Sequence, residues 1–387
     1  MKLALIGFGQ AGGKIVDAFV DYEQRTGQDI FTAPVAVNTA AADLAGLEHV
    51  PDENRVLIGQ SRVEGHGVGG DNELGAEIAA DDIEEMQGAL DRLSTHEIDA
   101  FLIVAGLGGG TGSGGAPVLA EHLRMIYTEP VFGLGILPAA AEGGLYTLNA
   151  ARSFRTFVRE VDNLLVFDND AWRSAGESMR GGFERINQEI ARRFGILFGA
   201  GAVDASDVVG ESVVDASDII NTLSGGGVST VGYARETVET DTGSSIPLLG
   251  DDSDSVDGTE TTNRVTSLVR KAALGRLTLP CDLQGTERSL LVCSGPPEHL
   301  NRKGIERGRA WLEAETGSME VRGGDYPLPS ADHVASVVLL AGVHQVPRVK
   351  ELQRVAIEAK EGIAQRERDD NLQALLGDET EELAPLY

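Results

Sequence analysis

Residues 106–117 read GLGGGTGSGGAP, seven glycines in twelve positions. Glycine loses more backbone freedom on ordering than any other residue, so such a run is costly to hold in one shape. It follows the apolar run DAFLIVA, which reads as a strand, and precedes PVLAEHLRMIY, which has helical spacing. A strand-to-helix turn needs far fewer glycines. The excess points to a ligand that the backbone must wrap. Backbone N–H groups are the densest supply of donors for a triphosphate. Thr111 and Ser113 are expected to add hydroxyl donors. A helix starting near Gly115 is expected to turn its positive end toward the same anion.

A second glycine loop, GFGQAG at 7–12, follows the strand KLALIGFG and opens the helix QAGGKIVDAFVDYEQR, with Ile15, Val16, Phe19 and Val20 on one face. The spacing satisfies the dinucleotide fingerprint, in which a pyrophosphate rests on a helix N-terminus. A nicotinamide enzyme calls for an acidic residue at the end of the second strand. Here the strand PVAVN ends in Asn38. A phosphate loop of the G-x-x-x-x-G-K-[ST] kind also fails, since Lys14 is followed by Ile15. An NAD(P)-dependent oxidoreductase is therefore the weaker alternative. A nucleotide-binding scaffold without turnover is another.

The chain has 387 residues and a formal net charge of −29. That length suggests two or three units at roughly 150 residues each. The charge disfavours nucleic acid and anionic membranes as partners, because both require a basic face. Only six of the 32 basic residues are Lys. An acidic, Lys-poor surface fits a halophile, and an ordinary acidic cytoplasmic protein is the plainer alternative. Cys281 and Cys293 have neither disulfide nor metal-ligand spacing and read as free thiols in a reducing compartment. No stretch approaches the roughly 18 apolar residues of a membrane span. The expected location is the cytoplasm.

The segments APVAVNT, NRVLIG, IDAFLIVAG, PVFGLGILP and NLLVFDND read as further strands among helices. This alternation predicts an α/β fold with a parallel sheet covered on both faces. The stretch GHGVGGDNELGAEIAADDIEEMQGALDRL reads as a glycine loop entering one long helix. Another long helix covers ESMRGGFERINQEIARRFGILF. Residues 234–262, rich in Ser, Thr, Asp and Gly, read as a mobile insertion. Beyond them, RSLLVCSG, SMEVRGGDYP and ASVVLLAGV predict the strands of a second, α+β unit. HLNRKGIERGRAWLEAETG reads as its helix, followed by a charged C-terminal helix and the acidic tail GDETEELAPLY.

These residues carry a resemblance. GGGTGSG at 108–114 resembles the signature of the tubulin/FtsZ superfamily. GQAG (9–12), GHGVGGDNE (65–73), AAAEGG (139–144), VFDND (166–170), FERIN (183–187) and VVDASD (213–218) resemble its other nucleotide loops, central helix and synergy loop. The acidity, the mixture of tubulin-like and FtsZ-like features and the lack of FtsZ's C-terminal peptide resemble the archaeal CetZ branch. The resemblance implies a Rossmann-type GTP-binding domain over 1–177, a central core helix over 178–203, and a C-terminal α+β activation domain over 204–346. A helix and tail over 347–387 complete it.

The resemblance also implies roles. Gly9, Gln10, Ala11, Gly12, Gly13 and Lys14 would lie under the α- and β-phosphates, with Asn38 nearby. Gly108, Gly109, Gly110, Thr111, Gly112 and Ser113 would cradle the β- and γ-phosphates. Gly70 and Asp71 would close over the γ-phosphate, with Asp71 acting through Mg²⁺ or serving as a helix N-cap. K⁺ is a second candidate cation. Glu142 and Asn169 would bind ribose or base edges. FtsZ carries an Arg four residues after this Glu, where this chain has Tyr146. Phe183 would stack on guanine and Asn187 would bond its edge, and core packing is the alternative for Phe183.

Hydrolysis would be completed by the next subunit in a head-to-tail homopolymer. Asp215 and Asp218, at i and i+3 of a helix start, would present both carboxylates on one side. Helix capping is their alternative role, and Asp204 and Asp207 are rivals with the same local pattern. The tail's lack of an FtsZ-type anchor peptide favours cell shape over constriction.

Overall fold

The computed structural model describes residues 1–92, 97–173, 176, 179–201, 213–238 and 258–359. The chain opens with β1 (Leu3–Phe8), α1 (Gly9–Thr26), β2 (Phe31–Asn38), α2 (Ala41–Ala45) and β3 (Arg55–Leu57). Three helices follow, α3 (Gln60–Val63), α4 (Asn72–Asp81) and α5 (Ile83–Leu90). Next come β4 (Ala100–Gly106), α6 (Thr111–Ile126), β5 (Val131–Leu137), α7 (Gly144–Glu160), β6 (Asn163–Asp168) and α8 (Asn169–Trp172). The long helix α9 (Met179–Ala200) leads toward α10 (Ala216–Leu223), β7 (Val228–Thr237) and α11 (Gly258–Leu274). The last elements are β8 (Arg288–Gly295), α12 (Arg302–Thr316), β9 (Glu320–Pro327) and β10 (His333–Ala341), and residues 347–359 are helical.

The ten strands among the described residues join one sheet in the order β3-β2-β1-β4-β5-β6-β7-β10-β8-β9. The first six are mutually parallel, as the strand–helix alternation predicts. β7 continues them through a short parallel pairing of Leu164 with Val228 and Leu165 with Ser229. β10 then runs antiparallel to both β7 and β8. The strands expected to form a separate unit therefore extend the same sheet.

Side-chain alternation splits the core between the two faces. Within β1, Leu3 and Leu5 pack with Phe19, Phe132, Phe194 and Phe198 under α1 and α9. Ala4, Ile6 and Phe8 pack with Phe101, Leu119 and Phe157 under α6 and α7. Burying each of these Leu, Ile and Phe side chains stabilises the fold by about 1.5–3 kcal/mol.

Two sequence expectations are corrected. The single long helix after Asp71 is two, α4 and α5, broken at Asp82 (φ −103°, ψ 27°), whose carboxylate turns back to accept from the Gly59 N–H. The insertion expected over 234–262 is ordered at both ends. β7 runs to Thr237, and α11 begins at Gly258 and buries Val265, Leu268, Val269 and Ala272. Residues 239–257 of that insertion lie outside the described residues, as do Asp204, Asp207 and the acidic tail.

Candidate functional site

A helix leaves its first backbone N–H groups without intrahelical partners, and side chains usually supply acceptors. Here α4, α8, α10 and α12 are capped in this way by Asp71, Asp168, Asp215 and Asn301. α1, α3, α6 and α7 have no side-chain cap and no acidic residue in the first turn. Of these, α1 follows β1 directly and α6 follows β4 after the four residues 107–110. In a chain of net charge −29, the acid-free, uncapped N-termini of α1 and α6 are a local inversion of the surface. Free N–H groups and the helix dipole together make an anion site. The two starts touch: a Cβ on Gly9 would fall 2.8 Å from Gly112 N. Gly12 and Gly13 are buried in the first turn of α1, and Gln10, Ala11 and Lys14 are exposed.

Part of the glycine run answers to packing. α6 starts at Thr111, four residues before the expected point, so Thr111, Gly112 and Ser113 form its first turn. None of the glycines from 106 to 115 has a positive φ. A Cβ on Gly110 would lie 2.5 Å from Val68 Cγ2 and 2.9 Å from Asp71 N, and one on Gly114 would strike Asn72 O. These glycines let α6 approach α4 and its loop. Around Gly109 a Cβ would meet nothing within 4 Å, which leaves open space for a ligand. The expected hydroxyl donors are already engaged. Thr111 Oγ1 bonds Thr39 Oγ1 at 2.7 Å, and Ser113 Oγ donates to Gly109 O.

The other loops close on the same point. Gly70 (φ 86°) gives its carbonyl to Asn149 Nδ2 at 2.7 Å, and the same nitrogen donates to Gly108 O at 3.0 Å. Asn149 thus ties the 65–71 loop to the glycine run. Asp71 is the N-cap of α4, accepting from Glu73 N and Leu74 N through Oδ1, both at 3.0 Å. One carboxylate oxygen is committed to the cap, which leaves Oδ2 for a cation. Among the described residues no cluster of His, Cys, Asp or Glu could hold a metal by itself. A Cβ on Gly108 would lie 3.0 Å from Pro138 Cγ and 3.1 Å from Tyr146 Cβ. Tyr146 therefore stands beside the run, 42% exposed.

On the adjoining wall, Glu142 Oε1 accepts from Ala139 N at 2.7 Å and from Asn169 Nδ2 at 3.5 Å. Asn169 is buried, and its Oδ1 has no hydrogen-bond partner. An unpaired buried acceptor is costly, so this atom fits a ligand that brings a hydroxyl or N–H. Asn38 is buried and accepts from the Thr39 and Ala40 N–H groups, and its Nδ2 and Gln10 Nε2 both donate to Asp43. Lys14 Nζ donates to Gly46 O at 2.6 Å. Phe183 and Asn187, both half-buried, lie one turn apart on α9. Between them Arg185 donates to Trp172 O at 2.8 Å, which sets this end of α9 against α8, the helix that begins at Asn169.

Burial pushes the Asp168 carboxyl up to about 6, although the Arg348 cation beside it pulls the other way. A folded value above the unfolded one gives stability that is complete below about pH 4 and is lost as pH rises through about 6. Asp168→Asn removes this dependence. The variant should therefore gain on the parent in melting temperature between pH 5 and pH 7.5. A difference that is constant over that range, or that moves the other way, would refute the shift.

Asp215 and Asp218 form a reciprocal capping box at the start of α10, with Asp218 N donating to Asp215 Oδ1 at 2.9 Å. Each carboxylate accepts the N–H of the other's residue, so both lie at the start of the helix. The Ser217 hydroxyl and the Asp218 N–H hold the Asp215 carboxyl below its ordinary value. Asp218 Oδ1 also pairs with Arg322 of β9 at 3.2 Å. This pair lies far from its own chain's loops. A Cβ on Gly201 would lie 3.1 Å from both Ala216 Cα and Met1 Cβ, so α10 starts beside the beginning of β1. The glycine loops follow the end of β1, six residues or about 20 Å away at roughly 3.3 Å per residue.

Asn149, Thr39, Asp43 and Arg348 were missed from the sequence. For Asn149 a signal existed: it is polar on the buried face of α7, with Thr147, Ala150, Ser153 and Phe154.

Comparison with known proteins gives the family. Residues 2–176 match the model described as Tubulin/FtsZ family, GTPase domain, and residues 176–358 match Tubulin-like CetZ, C-terminal domain. The Tubulin-like protein CetZ1 of Haloferax volcanii is 69% identical over 369 residues, covering 94% of this chain and 93% of that protein. The GDP-bound CetZ1 monomer from Haloferax volcanii superposes with a TM-score of 0.84 at 66% identity, covering 93% of this chain and all of that one. A GTPγS-bound CetZ2 protofilament from the same organism gives 0.83 at 46% identity, covering 94% and 100%. The chain belongs to the CetZ family of tubulin-like proteins.

Proposed function

We propose that this chain binds and hydrolyses GTP and assembles head-to-tail into protofilaments. The observation that carries the reading is the pair of uncapped, acid-free helix starts meeting at Gly9 and Gly112. The CetZ2 relative captured as a GTPγS-bound protofilament supports it. The N–H groups of Gln10 to Gly12 take the α- and β-phosphates. Those of Gly109 to Ser113 take the β- and γ-phosphates, and the 67–71 loop closes over the last. Asp71, through Oδ2, would help hold a Mg²⁺ ion, which would supply charge neutralisation to the phosphates. Glu142 and Asn169 hold the ribose, and Phe183 and Asn187 hold the guanine.

Phosphoryl transfer to water needs electrostatic stabilisation of the phosphates and a water held in line. Asp218 of the next subunit orients that water and takes its proton, with Asp215 fixing the helix start. Because these groups sit at the opposite end of β1 from the phosphate loops, a subunit completes its neighbour's site and not its own. Contacts of this heterologous kind do not close, so they build filaments. Among the described residues no helix is long and apolar enough to cross a membrane. We place the protein in the cytoplasm, with residues 1–177 as the nucleotide unit, and assign the filaments to cell shape.

The test follows light scattering and phosphate release together after GTP addition in molar KCl, and identifies the nucleotide extracted from purified protein. Guanine nucleotide with coupled assembly and turnover is expected. Extracted NAD or adenine nucleotide would overturn the reading.

A further inference from the structure

The helical run 347–359 packs one buried guanidinium against the strand ends that carry Glu142 and Asn169. Arg348 and Asp168 have side chains only 6% exposed, and Arg348 Nε lies 3.5 Å from Asp168 Oδ1. Arg348 Nη2 donates to Pro138 O at 2.7 Å, across 210 positions of sequence. Nη1 donates to Glu351 Oε2 at 2.7 Å, one helical turn further on. A planar guanidinium can make such divergent contacts from fixed positions, which an ammonium cannot.

Both arms lead to the nucleotide wall. Pro138 ends the β5 side, and its ring abuts Gly108 of the glycine run. The next residues, Ala139 and Ala140, donate to Glu142 Oε1 and Asp170 Oδ1. Asp168 ends β6, caps α8 through the Asp170 N–H at 3.2 Å and immediately precedes Asn169. Without Arg348, a buried carboxylate and a buried carbonyl lose the group that holds them, which strongly disfavours the geometry.

We propose that Arg348 is a positioning residue for nucleotide binding, clamping the Pro138–Glu142 and Asp168–Asp170 arms together from the C-terminal helix. The inference rests on reading Glu142 and Asn169 as the ribose wall. It makes the C-terminal helix part of the site that the N-terminal residues form. A clamp of this kind acts on how long nucleotide stays, while the hydrolytic group comes from the neighbouring chain.

The experiment uses the full chain and a fluorescent GDP analogue. Arg348→Met should release the analogue about tenfold faster and raise KM for GTP by a similar factor. At saturating GTP, kcat should stay within about twofold. Arg348→Lys, which keeps the charge but not the planar fork, should fall between, and it decides the matter if the Met variant does not fold. Leu312→Ala, a core truncation in α12, controls for general destabilisation and should leave release unchanged. Wild-type release from Arg348→Lys and from folded Arg348→Met would overturn the proposal. So would equal acceleration by Leu312→Ala. A separate Glu142→Ala variant tests the underlying reading: if release is unchanged there, the ribose wall itself is misassigned.

Discussion

Asp218→Ala chains should bind GTP as tightly as the parent and hydrolyse it about 10²–10⁴-fold more slowly, the range that a positioned acid–base group typically contributes. The two effects separate because the residues stand at opposite ends of β1. The helix that carries the removed side chain starts beside Gly201 and Met1, whereas the loops proposed for phosphate begin at Gly9. The fold tolerates the change. Asp218 is part-exposed, and its pairing with Arg322 is a surface contact of the kind worth about 0–1 kcal/mol. Asp215 still caps α10 through its bond from the N–H of residue 218, a backbone group that alanine retains. Filaments of the variant should outlast those of the parent, because GTP at each junction is no longer consumed. Phosphate release at the parental rate would exclude Asp218 and turn attention to Asp207 and Asp204. Filaments that form from the parent itself without any turnover would favour the scaffold reading.

The strands and the loops after them were readable because their signals are local. β1, β4, β5 and β6 are buried on both faces, so each is a short continuous apolar run. α11 was not readable. Its first residues, GTETT, continue the polar composition of the preceding segment, and its buried stripe begins with Thr261 and Thr262 rather than with large apolar residues. The break at Asp82 was hidden for another reason. The sequence 72–90 is good helix throughout, and the carboxylate bond to Gly59 that accompanies the break joins residues 23 positions apart.

The site divides along the same line. Glycine content marked the loops proposed for phosphate, yet part of it answers to packing. Gly110 and Gly114 answer to the approach of α6 to α4, and no count of glycines distinguishes a helix that must come close from an anion that must. The residues that bind the loops to one another escaped notice. Asn149 reaches Gly70 across 79 positions and Thr39 reaches Thr111 across 72, with no periodicity to announce either.

Gly110→Asp chains should lose measurable GTP binding. A Cβ at this position would lie 2.5 Å from Val68 Cγ2 and 2.9 Å from both Asp71 N and Asp71 O, so the 67–71 loop must move. The added carboxylate then sits at the uncapped N-terminus of α6, where it competes for the N–H groups that phosphate would take. Alone, these chains neither assemble nor turn over GTP, although their Asp218 is intact. Alone, Asp218→Ala chains assemble without turnover, although their pocket is intact. Mixed, the two should recover phosphate release at junctions where the Asp218 of a Gly110→Asp chain meets the pocket of an Asp218→Ala chain. A site contained in one chain predicts no recovery at any ratio, since each chain lacks one essential part. Turnover rising from the baseline of either variant as the other is titrated in would therefore place water activation in the neighbouring subunit. A flat baseline, with both variants folded by circular dichroism, would assign it to residues within the same chain.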